Sequence, residues 1–181
     1  IKLFFNDTFI MDQNACSSPK LILWKGKRKN IRIKNQFWKK LSDFAKNKIA
    51  MDFYIANQKY LKFCEIIIQL KNIIKFQSYD NFVSRLSLSS LPKDIDQYFG
   101  SSGFFFEYDI KSLNDINHIL GPKYQTMTYY GVKKETIVNF IENLNVNAFD
   151  RVVPIGNALE IELILDGYDM IRSLTRQVTI H

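Results

Sequence analysis

Leu21-Ile22-Leu23-Trp24 is a run of four apolar residues closed by Pro19 on one side and Gly26 on the other, the pattern of a short strand in the middle of a sheet. The residues beyond Gly26 set the fold class. Phe37, Leu41, Phe44 and Ile49 recur at helical steps over 36–50, with Asn35 placed to cap that helix. A second helix is expected over 52–75. There Tyr60, Leu61, Cys64, Ile67, Ile68 and Ile74 make an apolar stripe, and Lys59, Lys62, Glu65, Gln69 and Lys71 fill much of the other face. Residues 82–88 alternate as a strand does, and 103–110, with Phe104, Phe105 and Phe106, read as another. Strands separated by helices of this length predict an α/β domain in three layers, a mostly parallel sheet with helices on both faces.

Upstream of the first run, 1–6 reads as a short buried strand and 8–15 as a short helix or turn that delivers Cys16. Downstream, Ser112 can cap a short helix that runs to Leu120 and stops at Gly121-Pro122. Next come a β-rich run over 124–130, a helix over 133–144 and a strand and turn over 151–156. A short helix near 157–163 and a last strand at 178–180 complete the expectation. No internal repeat or low-complexity linker divides the chain, so 1–181 is read as one domain. Ile1 opens it inside an expected strand and without a methionine, which suggests the C-terminal part of a longer protein.

The composition narrows the function classes. With 46% hydrophobic and 24% charged residues the chain has the balance of a globular domain, and 15 Phe with 9 Tyr promise an aromatic core or a large apolar cavity. A net charge of +7 suits either an ordinary soluble surface or an anionic partner. The stretch 25–34 concentrates Lys25, Lys27, Arg28, Lys29, Arg32 and Lys34, a solvated loop or edge that could also meet phosphates. Only Trp24, Phe37 and Trp38 flank it, sparse stacking for single-stranded nucleic acid. Two cysteines without a Cys-x-x-Cys or a His cluster make a structural zinc site unexpected, and they are too few for a secreted disulfide scaffold, which favours a reducing cytoplasm. No apolar run reaches the length of a membrane span.

Cys16 lies in Asp12-Gln13-Asn14-Ala15-Cys16-Ser17-Ser18-Pro19, a turn of small and polar residues. Such a turn exposes a thiol, lets a carbonyl approach, and leaves the Cys16 N–H available to a developing oxyanion. A bystander cysteine fits the same local pattern. Cys64 sits in a helical stripe and reads as a small core residue. His118, near a helix end, is a capping residue or, if it faces Cys16, a base. Glu107 and Asp109 on a strand, and Asp166 and Asp169 around Gly167-Tyr168, have the character of turn or ion-pair residues. Gly100 and Gly103 do not make a dinucleotide fingerprint, and no Walker A, Gly-x-Ser-x-Gly or His-Glu-x-x-His is present.

The segment from Asp12 to Pro19, continued by Lys20-Leu21-Ile22-Leu23, resembles the nucleophile segment of the aldehyde dehydrogenases. A second block, Asp150-Arg151-Val152-Val153-Pro154-Ile155-Gly156-Asn157-Ala158-Leu159 with Asp166-Gly167-Tyr168-Asp169 and Leu174-Thr175-Arg176, resembles the C-terminal end of acyl-CoA reductases of the bacterial bioluminescence fatty-acid reductase type, a branch of that superfamily. Tyr124-Gln125-Thr126-Met127-Thr128-Tyr129-Tyr130-Gly131 is similar to them as well. The resemblance spans nearly the whole chain in order. It implies an aldehyde dehydrogenase catalytic-domain fold and an NADPH-dependent, aldehyde-forming oxidoreductase in which Cys16 takes the acyl group from acyl-CoA as a thioester. It further implies a homo-oligomer, and a cofactor held mainly by an N-terminal part that this chain lacks, so that the fragment alone is expected to be inactive. Gln97-Tyr98-Phe99-Gly100 faintly matches the Glu-x-Phe-Gly segment that meets the cofactor ribose, with Gln97 in place of the acid. Two alternatives stand beside this: a non-catalytic module that binds nucleic acid or another anion through 25–34, and an inactive scaffold of the same fold.

Overall fold

The structure is a computed structural model that describes residues 1–26, 31–165 and 167–180. Lys27, Arg28 and Lys29 of the basic stretch, Asp166 and His181 lie outside the described residues. The main sheet has four strands in the order β1-β4-β3-β2: β1 (Leu21–Lys25), β2 (Ile73–Tyr79), β3 (Val83–Leu88) and β4 (Phe104–Ile110). β1, β4 and β3 run parallel, with Leu21 opposite Phe106 and Leu86 opposite Phe106, while β2 is antiparallel to β3. The sheet is therefore mostly parallel, but Leu21-Ile22-Leu23-Trp24, expected at its centre, forms an edge. The middle belongs to β4 and β3, whose residues are almost all buried.

Alternation along β4 divides the core. Phe104 and Phe106 point into one cluster with Leu86, Leu88, Ile66, Leu70 and Ile95. Phe105 points into the other, with Phe4, Phe9, Trp38, Leu41 and Val83. The second cluster is roofed by α1 (Lys2–Phe9) and α2 (Ile31–Lys46). α1 replaces the strand expected over 1–6. An unbroken apolar run is compatible with either structure, and here the four-residue step decides: Phe5 stacks on Phe9 with ring centroids 5.1 Å apart, and the Thr8 hydroxyl donates back to the Phe4 carbonyl at 2.7 Å. α2 begins before Asn35, which sits inside the helix and accepts from Arg85 rather than capping it.

The helix expected over 52–75 is two elements. α3 (Phe53–Gln69) is capped by Asp52, which accepts from the Tyr54 N–H at 2.8 Å, and Ile73 onward is strand β2. The β2–β3 hairpin turns through Asp80 and Asn81, both left-handed at φ 48° and 61°, the backbone that a tight hairpin needs. α3 also faces opposite to expectation. Its inward row is Lys59, Phe63, Ile66 and Leu70, with Phe63 stacked on Phe76 at 3.9 Å. Tyr60, Leu61, Ile67 and Ile68 face solvent, Ile68 at 81% exposure, and Cys64 is half-buried. Both faces of α3 carry apolar residues, so periodicity alone does not orient it.

Beyond the sheet, Ser112 and Asp115 form a capping box on a single 3₁₀ turn, Leu113–Ile116, shorter than the helix expected to Leu120. β5 (Thr126–Tyr129) and β6 (Arg151–Pro154) pair in parallel as a separate two-stranded sheet, joined through α4 (Lys134–Glu142). The helix expected near 157–163 is absent, and the turn there is held by Asp7 instead, whose carboxylate accepts from the N–H groups of Gly156 at 2.6 Å and Ala158 at 3.1 Å. Burial of Asp7 raises its pKa, with the two N–H groups opposing. The last segment holds β7 (Ile164–Leu165), β8 (Tyr168–Asp169) and α5 (Met170–Leu174), while 178–180 is not a strand.

Glu107 and Arg85, 4% and 3% exposed, form an ion pair at 2.9 Å under α2. Glu107 also accepts from the Trp24 and Trp38 indoles at 2.9 and 2.8 Å and from Ser87. Arg85 reaches Asn35 and Gln77 and lies over the Trp38 and Tyr79 rings. Burial raises the Glu107 pKa, but the Ser87 and Trp38 donors, Arg85 and Trp24 outweigh it and hold the carboxyl below its ordinary value. A lowered pKa stabilises the fold above the ordinary carboxylate range, and the gain is lost as pH falls through the folded value. Glu107→Gln leaves Arg85 buried without a counter-charge and is expected to cost about 3–5 kcal/mol in urea unfolding at pH 7, with a flatter loss of stability on acidification. A cost under about 1 kcal/mol would place the pair among those that contribute little.

Candidate functional site

Cys16 is exposed, in the turn between α1 and β1. Ser18 N–H closes the turn on the Ala15 carbonyl at 3.0 Å, and the N–H groups of Cys16 and Ser17 donate to no acceptor among the described residues. The turn is locked from behind by Gln13, which is fully buried. Its amide nitrogen donates to the carbonyls of Pro19 at 2.8 Å and Phe104 at 3.0 Å, and its oxygen accepts from the N–H groups of Gly103 and Phe104, both at 3.0 Å. Beside it the Ser102 hydroxyl donates to the Asp12 carboxylate at 2.6 Å, and Ser102 N–H donates to the Asp12 carbonyl at 3.1 Å.

Two facing turns are thus held in left-handed backbone, Asp12 and Gln13 on one side (φ 47° and 60°) and Ser102 and Gly103 on the other (φ 58° and 82°). For residues other than glycine this conformation carries strain that the surroundings must hold, a pattern that gathers at functional sites. Gly103 admits no side chain, because a Cβ would lie 2.1 Å from the Phe82 carbonyl oxygen.

A cleft of about 540 Å³ opens beside this lock. The turn contributes Asp12, Asn14 and Lys20, α3 contributes Tyr54, Ile55, Gln58, Lys59 and Lys62, and the approach to β4 contributes Phe99 through Ser102 with Phe104. The cleft lies where the chain enters β1 and β4, at the amino ends of those parallel strands; open α/β sheets usually bind ligands outside the carboxyl ends. Lys20 donates to the Gly100 carbonyl at 3.1 Å, and Lys59 donates to the Asn81 carbonyl in the β2–β3 turn. Burial lowers the Lys20 pKa; it pushes Lys59 down to about 8, against a weaker upward pull from Asp12.

The other expected candidates are scattered. Cys16 itself is outside the cleft lining, two residues past Asn14. Gln97 is exposed on the 3₁₀ turn Ile95–Tyr98, and its side chain is also outside the lining, although Phe99 and Gly100 from the same segment belong to it. His118 bonds the Leu91 carbonyl at 2.9 Å and does not line the cleft. Asp109 pairs with Lys34, so one cation of the basic stretch is already neutralised, and Asp169 caps α5 through the Arg172 N–H at 3.0 Å. Glu107 belongs to the Arg85 network. Among the described residues no three His, Cys, Asp or Glu side chains gather where a metal could bind, and no helix is long and apolar enough to cross a membrane.

Lys59 escaped notice in the sequence because it reads as part of a polar helical face, and only the hairpin turn at Asn81 brings it a partner. The buried role of Gln13 had one signal, a long polar side chain directly before the small residues around Cys16. Comparison with known proteins finds no matching family model and no matching curated protein.

Gln13→Leu keeps the volume of the side chain but leaves two N–H groups and two carbonyls without their partner. It is expected to cost at least about 3 kcal/mol in urea unfolding, and to speed amide exchange at Gly103 and Phe104. Unchanged exchange at those two amides would show that the Cys16 turn is held by something else.

Proposed function

We propose that this chain is the nucleophile-bearing part of an NADPH-dependent acyl-CoA reductase with an aldehyde dehydrogenase-like catalytic fold, working in the cytoplasm with an acyl thioester as substrate. The observation that carries it is the Cys16 turn: an exposed thiol with two uncommitted N–H groups, braced by Gln13 beside a cleft that carries cations. The two resembling sequence blocks supply the chemistry. The parallel strands β1, β4 and β3 with helices on both faces are compatible with that fold, and two unpaired cysteines suit a reducing compartment.

In this proposal the Cys16 thiolate attacks the acyl carbonyl. The carbonyl oxygen gains charge facing the Cys16 and Ser17 N–H groups, the bond to the carrier sulfur breaks, and the carrier leaves as a thiol after taking a proton. Cys16 then holds the acyl group as a thioester. The cleft suits part of a phosphate-bearing cofactor because it has room, an aromatic wall at Phe99, and Lys20 and Lys59, which form no ion pair among the described residues. A reduced nicotinamide, held mainly by the N-terminal part and reaching this cleft, would supply the hydride that reduces the thioester. The resulting thiohemiacetal on Cys16 collapses, the carbon–sulfur bond breaks, and aldehyde leaves with the thiolate restored. Gln97, two residues before Phe99 and outside the cleft lining, is the ribose contact that the resemblance suggests.

Self-association belongs to the same proposal, supported by the outward face of α3. Phe53-Tyr54, Tyr60-Leu61 and Ile67-Ile68 repeat every seven residues and are all exposed, and such a seam drifts only about 20° per repeat. A contiguous apolar face of this kind is what the interface of a stable dimer buries. The full chain is expected to sediment as a dimer that the double change Leu61→Glu and Ile68→Glu converts to monomer. A wild-type chain that remains monomeric at high micromolar concentration excludes this use of the face.

Radiolabelled acyl-CoA incubated with the full-length protein is expected to leave a covalent adduct that hydroxylamine releases. Cys16→Ala is expected to abolish that label while Cys64→Ala retains it. Equal labelling of Cys16→Ala and wild type would remove Cys16 from the nucleophile's role.

A further inference from the structure

The cleft beside Cys16 holds two buried or half-buried cations that form no ion pair among the described residues, with Asp12 acting weakly on Lys59 from the same lining. Lys59 is 6% exposed, yet its ammonium meets only the Asn81 carbonyl, and Lys20 meets only the Gly100 carbonyl. Lys62, at the same wall, is loosely paired with Glu65 at 3.6 Å. The one carboxylate in the lining is Asp12, and it already accepts from the Ser102 hydroxyl. Arg85 provides the comparison within the same molecule: a cation buried for structure alone, surrounded by Glu107, Asn35 and Gln77. A buried ammonium without such a partner is costly, and an anionic ligand removes the cost.

Donors are also left over at the cleft. The N–H groups of Gly100 and Ser101 donate to no acceptor among the described residues, and the Ser101 hydroxyl has no partner there. The first turn of α3 brings Tyr54 and Ile55 to the same lining, its end already capped by the Asp52 carboxylate, so the lysines supply the positive potential there. Two ammonium groups, two N–H groups and a hydroxyl on residues of one lining suit an extended dianion better than a single carboxylate.

We propose that this cleft is a pyrophosphate site, in which Lys59 and Lys20 bind the diphosphate of a nucleotide-bearing ligand while its reactive end reaches Cys16. The identity of that ligand rests on the function proposed above; the anion site rests on the lysines. Coenzyme A and a nicotinamide dinucleotide both carry the group, and the experiment separates them.

Titration calorimetry with inorganic pyrophosphate, desulfo-coenzyme A and NADP⁺ is done on the full chain carrying Cys16→Ala, so that the outcome is independent of acyl transfer. Pyrophosphate is expected to bind, and Lys59→Met and Lys20→Met are each expected to weaken it at least tenfold. The double change Lys39→Met and Lys40→Met, at exposed positions of α2, is expected to leave it unchanged. Whichever of the two nucleotides loses affinity in step with pyrophosphate is the physiological source. Thermal melting checks that Lys59→Met folds, and if it does not, Lys20→Met decides. Pyrophosphate that does not bind, that binds equally to the folded cleft variants, or that is weakened as much by the α2 changes overturns the site. Loss of pyrophosphate binding with intact Cys16 labelling would overturn the site alone, and the reverse would overturn the nucleophile alone.

Discussion

The amide of Gln13 has two donors and two acceptor sites, and all four are committed to backbone groups, three of them on Gly103 and Phe104 where β4 begins. A side chain that replaces a strand partner in this way makes the position of Cys16 a property of the sheet. The turn cannot move without breaking bonds to the central strand, and the left-handed pairs at Asp12-Gln13 and Ser102-Gly103 persist because those bonds fix both sides. Asp12, Ser102 and Phe104 beside this contact line the cleft, so the thiol and the cleft share a single rigid support.

Charge in the interior follows two patterns. Under α2, Arg85 and Glu107 neutralise one another within a ring of indole, amide and hydroxyl groups, which makes them a structural unit even though paired charges on a strand could equally have been catalytic. At the other end of the same strands, Lys20 and Lys59 have carbonyl partners only. Carbonyl dipoles partly compensate a cation but do not cancel it. Buried charge is paired under α2, whereas beside Cys16 the two lysines form no ion pair and meet only a weak pull from Asp12.

The sequence was informative where one side of an element is apolar and the other is not. The α2 face of Phe37, Leu41 and Phe44 emerges directly from such a pattern, whereas 103–110, apolar on both sides, read as a strand but not as the middle of the sheet, which was expected at 21–24. It misled where both sides are apolar: Ile1 to Phe5 suits strand or helix, and α3 carries two apolar rows of which the longer one faces solvent. The β2–β3 hairpin was hidden because Ile73 and Ile74 continue the helical spacing of α3, and its turn residues, Asp80 and Asn81, lack a glycine to mark them. Cys16 was legible as an exposed thiol in a small-residue turn. Lys59 was not, since its burial depends on the carbonyl of Asn81, 22 residues away. Gln97 and His118 illustrate the converse, residues of suggestive type whose side chains do not line the cleft.

Asp7 joins the first helix to Gly156 and Ala158, 149 and 151 residues further along. Closing so long a loop carries a large entropic cost that is recovered only when both ends are in place. During synthesis the N-terminal helix leaves the ribosome long before the turn that completes its bonding, so α1 gains its final anchor only after residue 158 has been made. The turn bearing Cys16 comes directly after that helix. A chain cut short before the Gly156 turn would still contain the thiol, the cleft, all four strands of the main sheet and the Gln13 bonds, yet would leave the carboxylate of Asp7 without its N–H donors and α1 less firmly anchored. The order of synthesis thereby leaves the helix that precedes the Cys16 turn without its last anchor until residue 158 has been made, long after the partners of Gln13.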